Sequence, residues 1–445
     1  MFDCVLVANR GEIARRVIRS VQRLGVRAVA VYSEADQGLP YVKEADEALP
    51  IGPPPPAQSY LDIAKVLEAA RQSGADAVHP GYGFLAENAA FAAAVAKAGL
   101  TWIGPSPECI DAMGSKINAR NLMAAAGVPV AAGTTEPVSE VEEAVRLAAG
   151  IGYPVMVKAS AGGGGIGMSV ANGEDELRQA FETARTRAER FFGDPAILLE
   201  RYLPSARHVE VQILGLADGR VVALGERDCS VQRRHQKVVE ETPSPGVGPQ
   251  LRERMLAAAV RAGEAVGYRN AGTVECLVSG DEFVFLEMNT RLQVEHPVTE
   301  LVTGIDLVEQ QLRIAAGEPV TFDPAAVRPT GHAIELRVYA EDPKRFLPSP
   351  GAITAWREPA GEGVRVDAGY AAGTTVTPFY DPLLAKLCVH GADRPEALAR
   401  ARAAVAGFEI EGLRTNLPFF LELLDDEGFA SGRYDTGIID RMRAR

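Results

Sequence analysis

Cysteine is scarce in this chain of 445 residues. The five that occur are scattered, odd in number and never at the spacing of metal ligands; they are Cys4, Cys109, Cys229, Cys276 and Cys388. This pattern excludes a disulfide framework and predicts reduced thiols in a cytoplasmic protein. The sequence has no apolar run near the roughly 20 residues of a membrane span. Its first residues also lack the basic segment and cleavage site of a signal peptide.

Positive charge is also in short supply. The chain has 46 lysine and arginine residues against 59 acidic ones, and its net charge of −13 argues against general nucleic-acid binding. Only eight of the basic residues are lysines, and three of those, Lys116, Lys158 and Lys237, fall inside the motifs described below. The length predicts about two to four domains, and the composition is that of a soluble protein. We expect neither a nucleic acid nor a membrane as a partner.

A dinucleotide fingerprint is missing near the N-terminus. Asn9-Arg10-Gly11 occupies its place but lacks its glycines, so we predict a tight turn and a helix start there and no NAD site. Buried strands are predicted at 3–8, 26–32 and 75–79, and helices up to Leu24 and at 60–73 and 87–98. This alternation favours an open parallel sheet. Ligands bind such sheets beyond the strand ends, where the loop at 79–88 lies.

A glycine run at 162–165 follows a predicted strand at 153–158 that ends in Lys158. It is not a Walker loop, because no Gly-Lys-Ser/Thr opens a helix. Glycines let backbone N–H groups approach a phosphate, so we predict a mobile hairpin that covers phosphate. A glycine run by itself could equally be a linker. A helical pattern at 105–127 contains Lys116, and a strand is predicted at 196–203.

Residues 227–237 are rich in arginine and lie in an acidic chain. We interpret this stretch as a basic loop that binds an anion, with a solvated loop as the alternative. The next polar pattern lies at 282–300, where an apolar strand face turns into Glu287, Asn289 and Arg291 halfway along. Carboxylate and amide oxygens would bind magnesium beside a nucleotide, and the arginine would hold an anion. A solvated edge strand is the alternative.

Two further predicted strands carry polar residues. The strand at 271–278 contains Glu275, and the strand at 332–341 presents Glu335, Arg337 and Tyr339 on one face. A small α/β region with a helix near 393–406 ends the chain. We detect no internal repeat.

Taken together, the motifs resemble biotin carboxylase within the ATP-grasp superfamily. The resemblance extends from residue 1 to about residue 440 and rests on Arg-Asp-Cys-Ser-Val-Gln-Arg-Arg-His-Gln-Lys, Glu-Met-Asn-Thr-Arg-Leu-Gln-Val-Glu-His-Pro-Val-Thr-Glu, Glu-Arg-Tyr-Leu, Ala-Asn-Arg-Gly-Glu-Ile-Ala and His-Pro-Gly-Tyr-Gly-Phe-Leu. It implies an α/β ATP-grasp fold with an N-terminal open parallel-sheet (pre-ATP-grasp) domain, a mobile lid domain and an α+β C-terminal domain. The implied boundaries are 1–104 for the N-terminal domain, 105–130 for connecting helices, 131–203 for the lid, 204–330 for the catalytic core and 331–445 for the C-terminal domain.

The resemblance also implies a reaction and its residues. ATP would activate bicarbonate as carboxyphosphate, and the carboxyl group would pass to N1 of biotin. Implied ATP-binding residues are Lys116, Lys158, Gly164, Gly165, Glu200, Arg201, Tyr202, Leu203, His208, Gln232, His235, Glu275 and Glu287. Glu275, Glu287 and Asn289 would bind two Mg²⁺ ions, with Mn²⁺ as an alternative. Lys237, Arg291 and the Val294 backbone would bind bicarbonate. Glu295 would be the general base and Arg337 would stabilise the biotin oxygen, so the implied catalytic set is Lys237, Arg291, Glu295 and Arg337.

Three positions depart from the family pattern. Ala161 stands where another glycine is common, Ile166 where Arg or Lys is frequent, and Arg201 where Lys is frequent. None of these changes removes a catalytic group.

The expected partners follow from the same resemblance. The sequence contains no Ala-Met-Lys-Met motif for attaching biotin, so we expect biotin on a separate carrier protein, together with carboxyltransferase subunits. A homodimer would bring Arg16, Arg19 and Arg23 near Glu362 and Arg365. The expected setting is an acetyl-CoA carboxylase, with a pyruvate or propionyl-CoA carboxylase as the alternative. The competing interpretations are a biotin-independent ATP-grasp ligase and a nucleotide-binding protein without enzymatic activity.

Overall fold

The computed structural model describes residues 1–159, 168–192, 195–234 and 236–444. The N-terminal part is a five-stranded parallel sheet in the order β3-β2-β1-β4-β5, which confirms the predicted open sheet. Its elements are β1 (Cys4–Val7), α1 (Gly11–Arg23), β2 (Arg27–Ser33), α2 (Pro40–Glu44), β3 (Glu47–Gly52), α3 (Ile63–Ser73), β4 (Ala77–His79), α4 (Ala89–Lys97) and β5 (Thr101–Trp102).

Helix α1 begins where the sequence predicts a turn. Gly11 has φ +65°, a left-handed conformation that glycine adopts without a steric cost. Ile13, Val17 and Val21 recur on one face of the helix and are buried in the core. The helix therefore packs against the sheet, and the loop after β4 lies at the edge where β1 and β4 end.

The helical pattern at 105–127 forms two helices, α5 (Pro107–Gly114) and α6 (Lys116–Ala125). Ser115 separates them, and its side chain accepts a hydrogen bond from the backbone N–H of Asn118. A serine in this capping position starts a new helix, because it satisfies an N–H group that has no partner within the helix. Lys116 is consequently the first residue of α6.

A small unit follows, built on a three-stranded antiparallel sheet in the order β7-β6-β8. It contains α7 (Val141–Ile151), β6 (Val155–Ala159), β7 (Ser169–Ala171), α8 (Glu174–Phe192) and β8 (Ile197–Arg201). Strand β8 is shorter than predicted, so Tyr202 and Leu203 follow it instead of belonging to it. The predicted glycine hairpin at 162–165 lies outside the described residues.

The rest of the chain is built around an eight-stranded sheet in the order β13-β12-β9-β10-β11-β14-β19-β17, with two separate strand pairs, β15-β18 and β16-β20. The remaining elements are β9 (Arg207–Gly215), β10 (Val221–Arg233), β11 (Gln236–Thr242), α9 (Pro249–Ala265), β12 (Asn270–Ser279), β13 (Glu282–Asn289), α10 (His296–Thr303), α11 (Leu307–Ala315), β14 (His332–Tyr339), β15 (Gly351–Ala352), β16 (Ala355–Arg357), β17 (Val364–Ala368), β18 (Thr375–Val376), β19 (Leu383–Gly391), α12 (Arg394–Gly407), β20 (Glu409–Glu411), α13 (Leu417–Asp425), α14 (Glu427–Ala430) and α15 (Ile438–Arg443). Strands from both predicted regions, 204–330 and 331–445, share this one sheet.

The predicted basic loop at 227–237 is wrong. Most of this stretch belongs to β10 and β11, which pair with each other, and only a short turn separates the two strands. Arg227 is fully buried, and its guanidinium bonds Glu210, Gln212 and Thr299. An arginine can occupy a strand interior when acceptors saturate its donors, and the sequence pattern did not reveal those acceptors.

The core face of β13 also differs from the prediction. A β-bulge lies between Phe285 and Glu287, where the pairing with β12 shifts by one residue. Met288 therefore follows Phe283 and Phe285 into the core, and Glu287 is directed away from it. A bulge re-aims the side chains that follow it, so the strand face does not change from apolar to polar as predicted.

Candidate active site

Lys237 lies at the centre of a cluster of buried carboxylates. Its Nζ donates to Glu210 Oε2 at 2.6 Å, Glu275 Oε1 at 2.7 Å and Glu295 Oε1 at 2.7 Å. The three partners come from β9, β12 and the residue that precedes α10, while Lys237 is the second residue of β11. Burial by itself would lower the pKa of Lys237, but these three carboxylates raise it well above its ordinary value. The lysine is therefore a fixed positive charge.

Glu295 is fully buried and binds two cations. Besides Lys237, Arg337 Nη2 donates to Glu295 Oε2 at 2.9 Å. Burial alone would raise the pKa of Glu295, but the charges of Lys237, Arg337 and Arg227 hold it well below its ordinary value. The carboxylate is thus ionised and able to accept a proton once a substrate displaces one of its partners.

Glu275 and Glu287 are directly paired residues on β12 and β13. Like charges in this position repel each other. The Glu287 side chain is exposed, yet the loss of water around its carboxylate and the charge of Glu275 raise its pKa. A pair of carboxylates is suited to bind a hard divalent cation when one of the two has no basic bonding partner. The donor set therefore fits the Mg²⁺ ions that the resemblance implies.

Glu275 already receives several donors. Oε1 accepts from Asn289 Nδ2 at 2.8 Å and Gln293 Nε2 at 3.0 Å, and Oε2 lies 2.8 Å from His208 Nε2. Burial would raise the pKa of Glu275, whereas Lys237 and His208 lower it well below its ordinary value. Asn289, the third expected metal ligand, directs its amide nitrogen toward Glu275 and its oxygen toward Arg291 Nη2, 3.1 Å away.

Arg291 reaches the same cluster from the other side. Its Nε donates to Glu87 Oε2 at 2.7 Å, and Nη1 donates to Gln293 Oε1 at 2.7 Å. Glu87 belongs to the loop after β4, so the N-terminal sheet supplies a residue to the site. Arg291, Lys237 and Glu295 are linked through Gln293 and Glu275. The structure therefore brings together the residues expected to bind bicarbonate.

The expected phosphate-binding lysines, Lys116 and Lys158, influence each other electrostatically. Lys158, on β6, forms an ion pair with Glu200 on β8. Burial and the charge of Lys158 lower the pKa of Lys116, while Glu287 and Glu200 oppose this effect. Lys116 thus feels the charge of Lys158 and that of Glu287, a carboxylate expected to bind Mg²⁺. A nucleotide polyphosphate matches such a pair of cations beside a divalent ion.

The other residues expected to bind the nucleotide differ in their burial and their hydrogen-bonding partners. His208 Nδ1 lies 2.7 Å from Gln232 Nε2, which also donates to the Cys229 carbonyl. Arg201 is exposed, and its backbone N–H is occupied by the Ala132 carbonyl. Tyr202 and Leu203 are half-buried after the end of β8. Gly164, Gly165 and His235 lie outside the described residues.

Several site residues escaped the sequence analysis. Glu240 lies 2.5 Å from Arg337 Nη2, and Lys386 Nζ donates to the Val294 carbonyl at 2.9 Å. Glu210, Glu87 and Arg227 complete this set. One signal was available for Glu210, because His208, Glu210 and Gln212 alternate with valine and isoleucine along one strand. A strand with one wholly polar face inside an apolar region indicates a buried polar site.

Cys229 ends near the general-base candidate, with its Sγ 3.8 Å from Glu295 Oε1. Together with Glu210, these groups are close enough to hold a cation. The Lys237 ammonium already bonds both carboxylates and supplies the positive charge between them in place of a metal ion. Burial and Glu210 raise the pKa of Cys229 well above its ordinary value. All five cysteines are free thiols, as predicted.

Three family models match consecutive parts of the chain. They describe a biotin carboxylase N-terminal domain at residues 1–110, a carbamoyl-phosphate synthase L chain ATP-binding domain at 115–322 and a biotin carboxylase C-terminal domain at 335–441. A biotin carboxylase of Halalkalibacterium halodurans is 54% identical over 99% of this chain and 97% of its own length. The chain belongs to the biotin carboxylase family. It is therefore an ATP-dependent ligase with the ATP-grasp fold, which confirms the resemblance seen in the sequence.

Other members of the family show the range of complexes in which it occurs. A pyruvate carboxylase subunit of Methanothermobacter thermautotrophicus is 51% identical over 100% of this chain and 90% of its own length. A solved structure of the 2-oxoglutarate carboxylase biotin carboxylase domain dimer from Hydrogenobacter thermophilus has a TM-score of 0.95. It is 44% identical, covers 99% of this chain and 98% of its own, and contains MgADP, ADP and bicarbonate.

The helices in the described part of the chain were also compared with the dimensions of a bilayer. None of them combines the length and the apolarity that a membrane-spanning helix needs.

Proposed function

We propose that this protein carboxylates N1 of biotin, using bicarbonate and MgATP, and that the biotin is attached to a separate carrier protein. The observation that carries this proposal is the position of Glu295 between Lys237 and Arg337. One carboxylate lies between a cation expected to hold bicarbonate and a cation expected to hold biotin. A general base in that position can serve both halves of the reaction.

In the first half, Glu295 takes the proton of bicarbonate. Bicarbonate is a weak nucleophile, and a positioned base typically accelerates such a step by about 10²–10⁴-fold. Lys237, Arg291 and the Val294 backbone bind the anion, so bicarbonate replaces one of the carboxylates that Lys237 holds in this structure. The bicarbonate oxygen attacks the γ-phosphorus of ATP, ADP leaves, and carboxyphosphate forms.

The nucleotide lies between the small unit and the eight-stranded sheet in this proposal. Lys116 and Lys158 neutralise its phosphates, and Gly164 and Gly165 cover them. Glu200, Arg201, Tyr202 and Leu203 hold the adenine end, while His208, Gln232 and His235 line the ribose and phosphate region. Glu275, Glu287 and Asn289 hold Mg²⁺, which when bound spreads the charge of the transferring phosphoryl group. Support comes from the cross-strand carboxylate pair and from the MgADP in the 2-oxoglutarate carboxylase structure.

In the second half, the carboxyl group of carboxyphosphate is transferred to N1 of biotin. Phosphate leaves, and the proton on N1 is lost to a base. Arg337 stabilises the negative charge that develops on the ureido oxygen, because a fixed cation costs no reorganisation at that moment. Arg337 is buried and remains charged, since Glu240 and Glu295 raise its pKa far above its ordinary value against the opposing effect of burial.

The experiment that tests the proposal is ATP cleavage measured with and without bicarbonate and free biotin. We expect cleavage to depend on bicarbonate and to increase with biotin. Turnover that ignores both would contradict the proposal. Turnover that needs bicarbonate but ignores biotin would favour a biotin-independent ATP-grasp ligase instead.

For the complex, we propose an acetyl-CoA carboxylase in which a biotin carboxyl carrier protein and carboxyltransferase subunits complete the reaction. Relatives named biotin carboxylase support this setting. The 51% identity to a pyruvate carboxylase subunit favours pyruvate as the second candidate acceptor. Mass spectrometry of subunits that copurify with the enzyme distinguishes the two, because each acceptor requires its own transferase.

We also propose a homodimer that uses α1. Within one chain, Arg16 and Arg365 both bind Glu300, and Arg19 binds Glu44. Arg23 binds Asp306 but remains half-exposed, while Glu362 is almost fully exposed. A pair between Arg23 and Glu362 of a second copy would contribute only about 0–1 kcal/mol. Light scattering at micromolar concentration tests the dimer, and a monomer would contradict it.

A further inference from the structure

Glu240 and Glu335 form a pair of buried acids behind the active site. They are directly opposite residues on β11 and β14, and both side chains are fully buried. Like charges at paired positions of a sheet repel each other, and an unpaired buried carboxylate costs several kcal/mol or more. The two residues therefore need different charge states or different partners.

Glu335 lacks a cationic bonding partner among the described residues. Its Oε2 lies 3.5 Å from Cys388 Sγ, and Oε1 receives no hydrogen bond from a described protein group. The Lys386 ammonium, on β19, bonds Glu12 and the Val294 carbonyl instead. Burial raises the pKa of Glu335 well above its ordinary value. The charges of Glu240 and Glu295 raise it further, whereas those of Lys386 and Arg337 lower it. A neutral carboxylic acid matches these surroundings.

Glu240 has a cation in contact. Arg337 Nη2 lies 2.5 Å from Glu240 Oε1 and 2.9 Å from Glu295 Oε2, so one guanidinium nitrogen joins the buried acid to the catalytic base. Burial raises the pKa of Glu240 to about 7, with Arg337 opposing the shift and Glu295 adding to it. Arg337 thus has two carboxylate partners, Glu240 and Glu295, and both are fully buried.

We infer that Glu240 is a positioning residue that keeps Arg337 in place when Glu295 becomes protonated, and that Glu335 remains a neutral acid so that Glu240 can be anionic. The inference rests on the proposed function. When Glu295 takes the proton of bicarbonate, its ion pair with Arg337 is lost. An arginine released at that point would move away from biotin. Glu240 holds it, because the Glu240 carboxylate lies against the same guanidinium nitrogen and, above about pH 7, carries a negative charge of its own.

The first test substitutes Glu240→Gln and separates the two half-reactions. We expect kcat/KM for biotin in biotin-stimulated ATP cleavage to fall about tenfold or more, since the buried ion pair between Glu240 and Arg337 is lost. Cleavage that depends on bicarbonate alone should fall less. In the wild-type enzyme kcat/KM for biotin should rise with pH through about 7 as Glu240 ionises, and this rise should be absent from Glu240→Gln. A merely structural role would lower both activities equally and leave the pH profile unchanged.

The matched control is Glu335→Gln, which has the shape of a neutral glutamic acid. We expect kcat/KM for biotin and its pH profile to stay within about twofold of the wild type, because no charge is removed. A loss equal to that of Glu240→Gln would overturn the inference, since it would mean that Glu335 is ionised. This variant also decides the question if Glu240→Gln does not fold. Failure of the proposed function is distinguishable, because the wild-type enzyme would then show no biotin stimulation.

Discussion

Glu275 and Glu287 stand directly opposite each other on neighbouring antiparallel strands. Only Glu275 has Lys237 as a bonding partner, so the two carboxylates together carry more negative charge than the described groups around them neutralise. This arrangement places repulsion in the ligand-free enzyme at the point where a divalent cation is expected. Stability and nucleotide binding should therefore respond in opposite directions when one of the two charges is removed.

The first prediction concerns Glu287→Gln. Removing the cross-strand repulsion should raise the free energy of unfolding of the ligand-free protein by about 0.5 kcal/mol. The unfolding temperature should rise slightly as a result. The same change should abolish most of the additional stabilisation that MgADP gives to the wild type. Thermal unfolding with and without MgADP measures both effects. Glu282→Gln, an exposed residue on the same strand, is the control and should change neither.

The second prediction concerns Glu295→Gln. Bicarbonate-dependent turnover should fall by about 10²-fold or more, because the proposed general base is lost. Affinity for MgATP, measured by calorimetry, should remain close to that of the wild type, because the proposed role of Glu295 is in bicarbonate activation and not in nucleotide binding. An equal loss of ATP affinity would show that Glu295 holds a metal ion or the fold instead.

The third prediction concerns Lys237→Met. Three carboxylates lose their shared cation, and breaking a buried ion pair in this way typically costs about 3–5 kcal/mol. Without the ammonium, the pKa values of Glu210, Glu275 and Glu295 rise, so the loss of stability should be larger at pH 8 than at pH 6. Urea unfolding at the two pH values measures this. Lys65→Met, at an exposed lysine of α3, should have a small effect that does not depend on pH.

The fourth prediction concerns acid stability and Glu241. The Glu241 carboxylate is hydrogen-bonded to His332, Arg394 and Tyr434. Burial alone would raise the pKa of Glu241, but His332 and Arg394 lower it to about 2. A carboxylate whose pKa is lowered by folding stabilises the protein at pH values above its ordinary pKa. This stabilisation is lost as the pH falls through the pKa of the folded state. Glu241→Gln should therefore cost about 3 kcal/mol at pH 6. The difference from the wild type should shrink between pH ~4.5 and pH ~2. A difference that stays constant with pH would contradict the assignment.

The sequence predicted those parts of the fold that depend on local patterns. The alternation of apolar strands and helices before residue 104 located β1, β2 and β4, because these strands are largely buried and apolar. Strands β3 and β5 were not predicted, since they are only partly buried and carry a weaker apolar pattern. Ser115 was not recognised as a cap, because a serine inside a helical pattern is compatible with a continuous helix. The bulge after Phe285 leaves no mark in the sequence, since it depends on which residue of β12 each residue faces.

The site was predictable where motifs carried it and not where pairing did. Glu275, Glu287, Glu295 and Arg337 were found because the resemblance fixed their positions. Glu240 was missed because its role depends on β14 lying beside β11, a contact between residues about 100 positions apart. Arg227 was misassigned for a related reason, since its acceptors come from β9 and α10.

The eight-stranded sheet does not stop where the predicted catalytic core ends. Strand β11 pairs with β14, and β14 pairs with β19, so the last quarter of the chain supplies a neighbour of the strand that carries Lys237 and Glu240. A fragment ending near residue 330 would leave β11 with a row of unpaired backbone N–H and C=O groups along an open edge. Edges of that kind recruit other chains and aggregate. The enzyme consequently cannot be divided into separate nucleotide-binding and biotin-binding modules by truncation, and genetic fusions to carrier or transferase segments are best made at its termini.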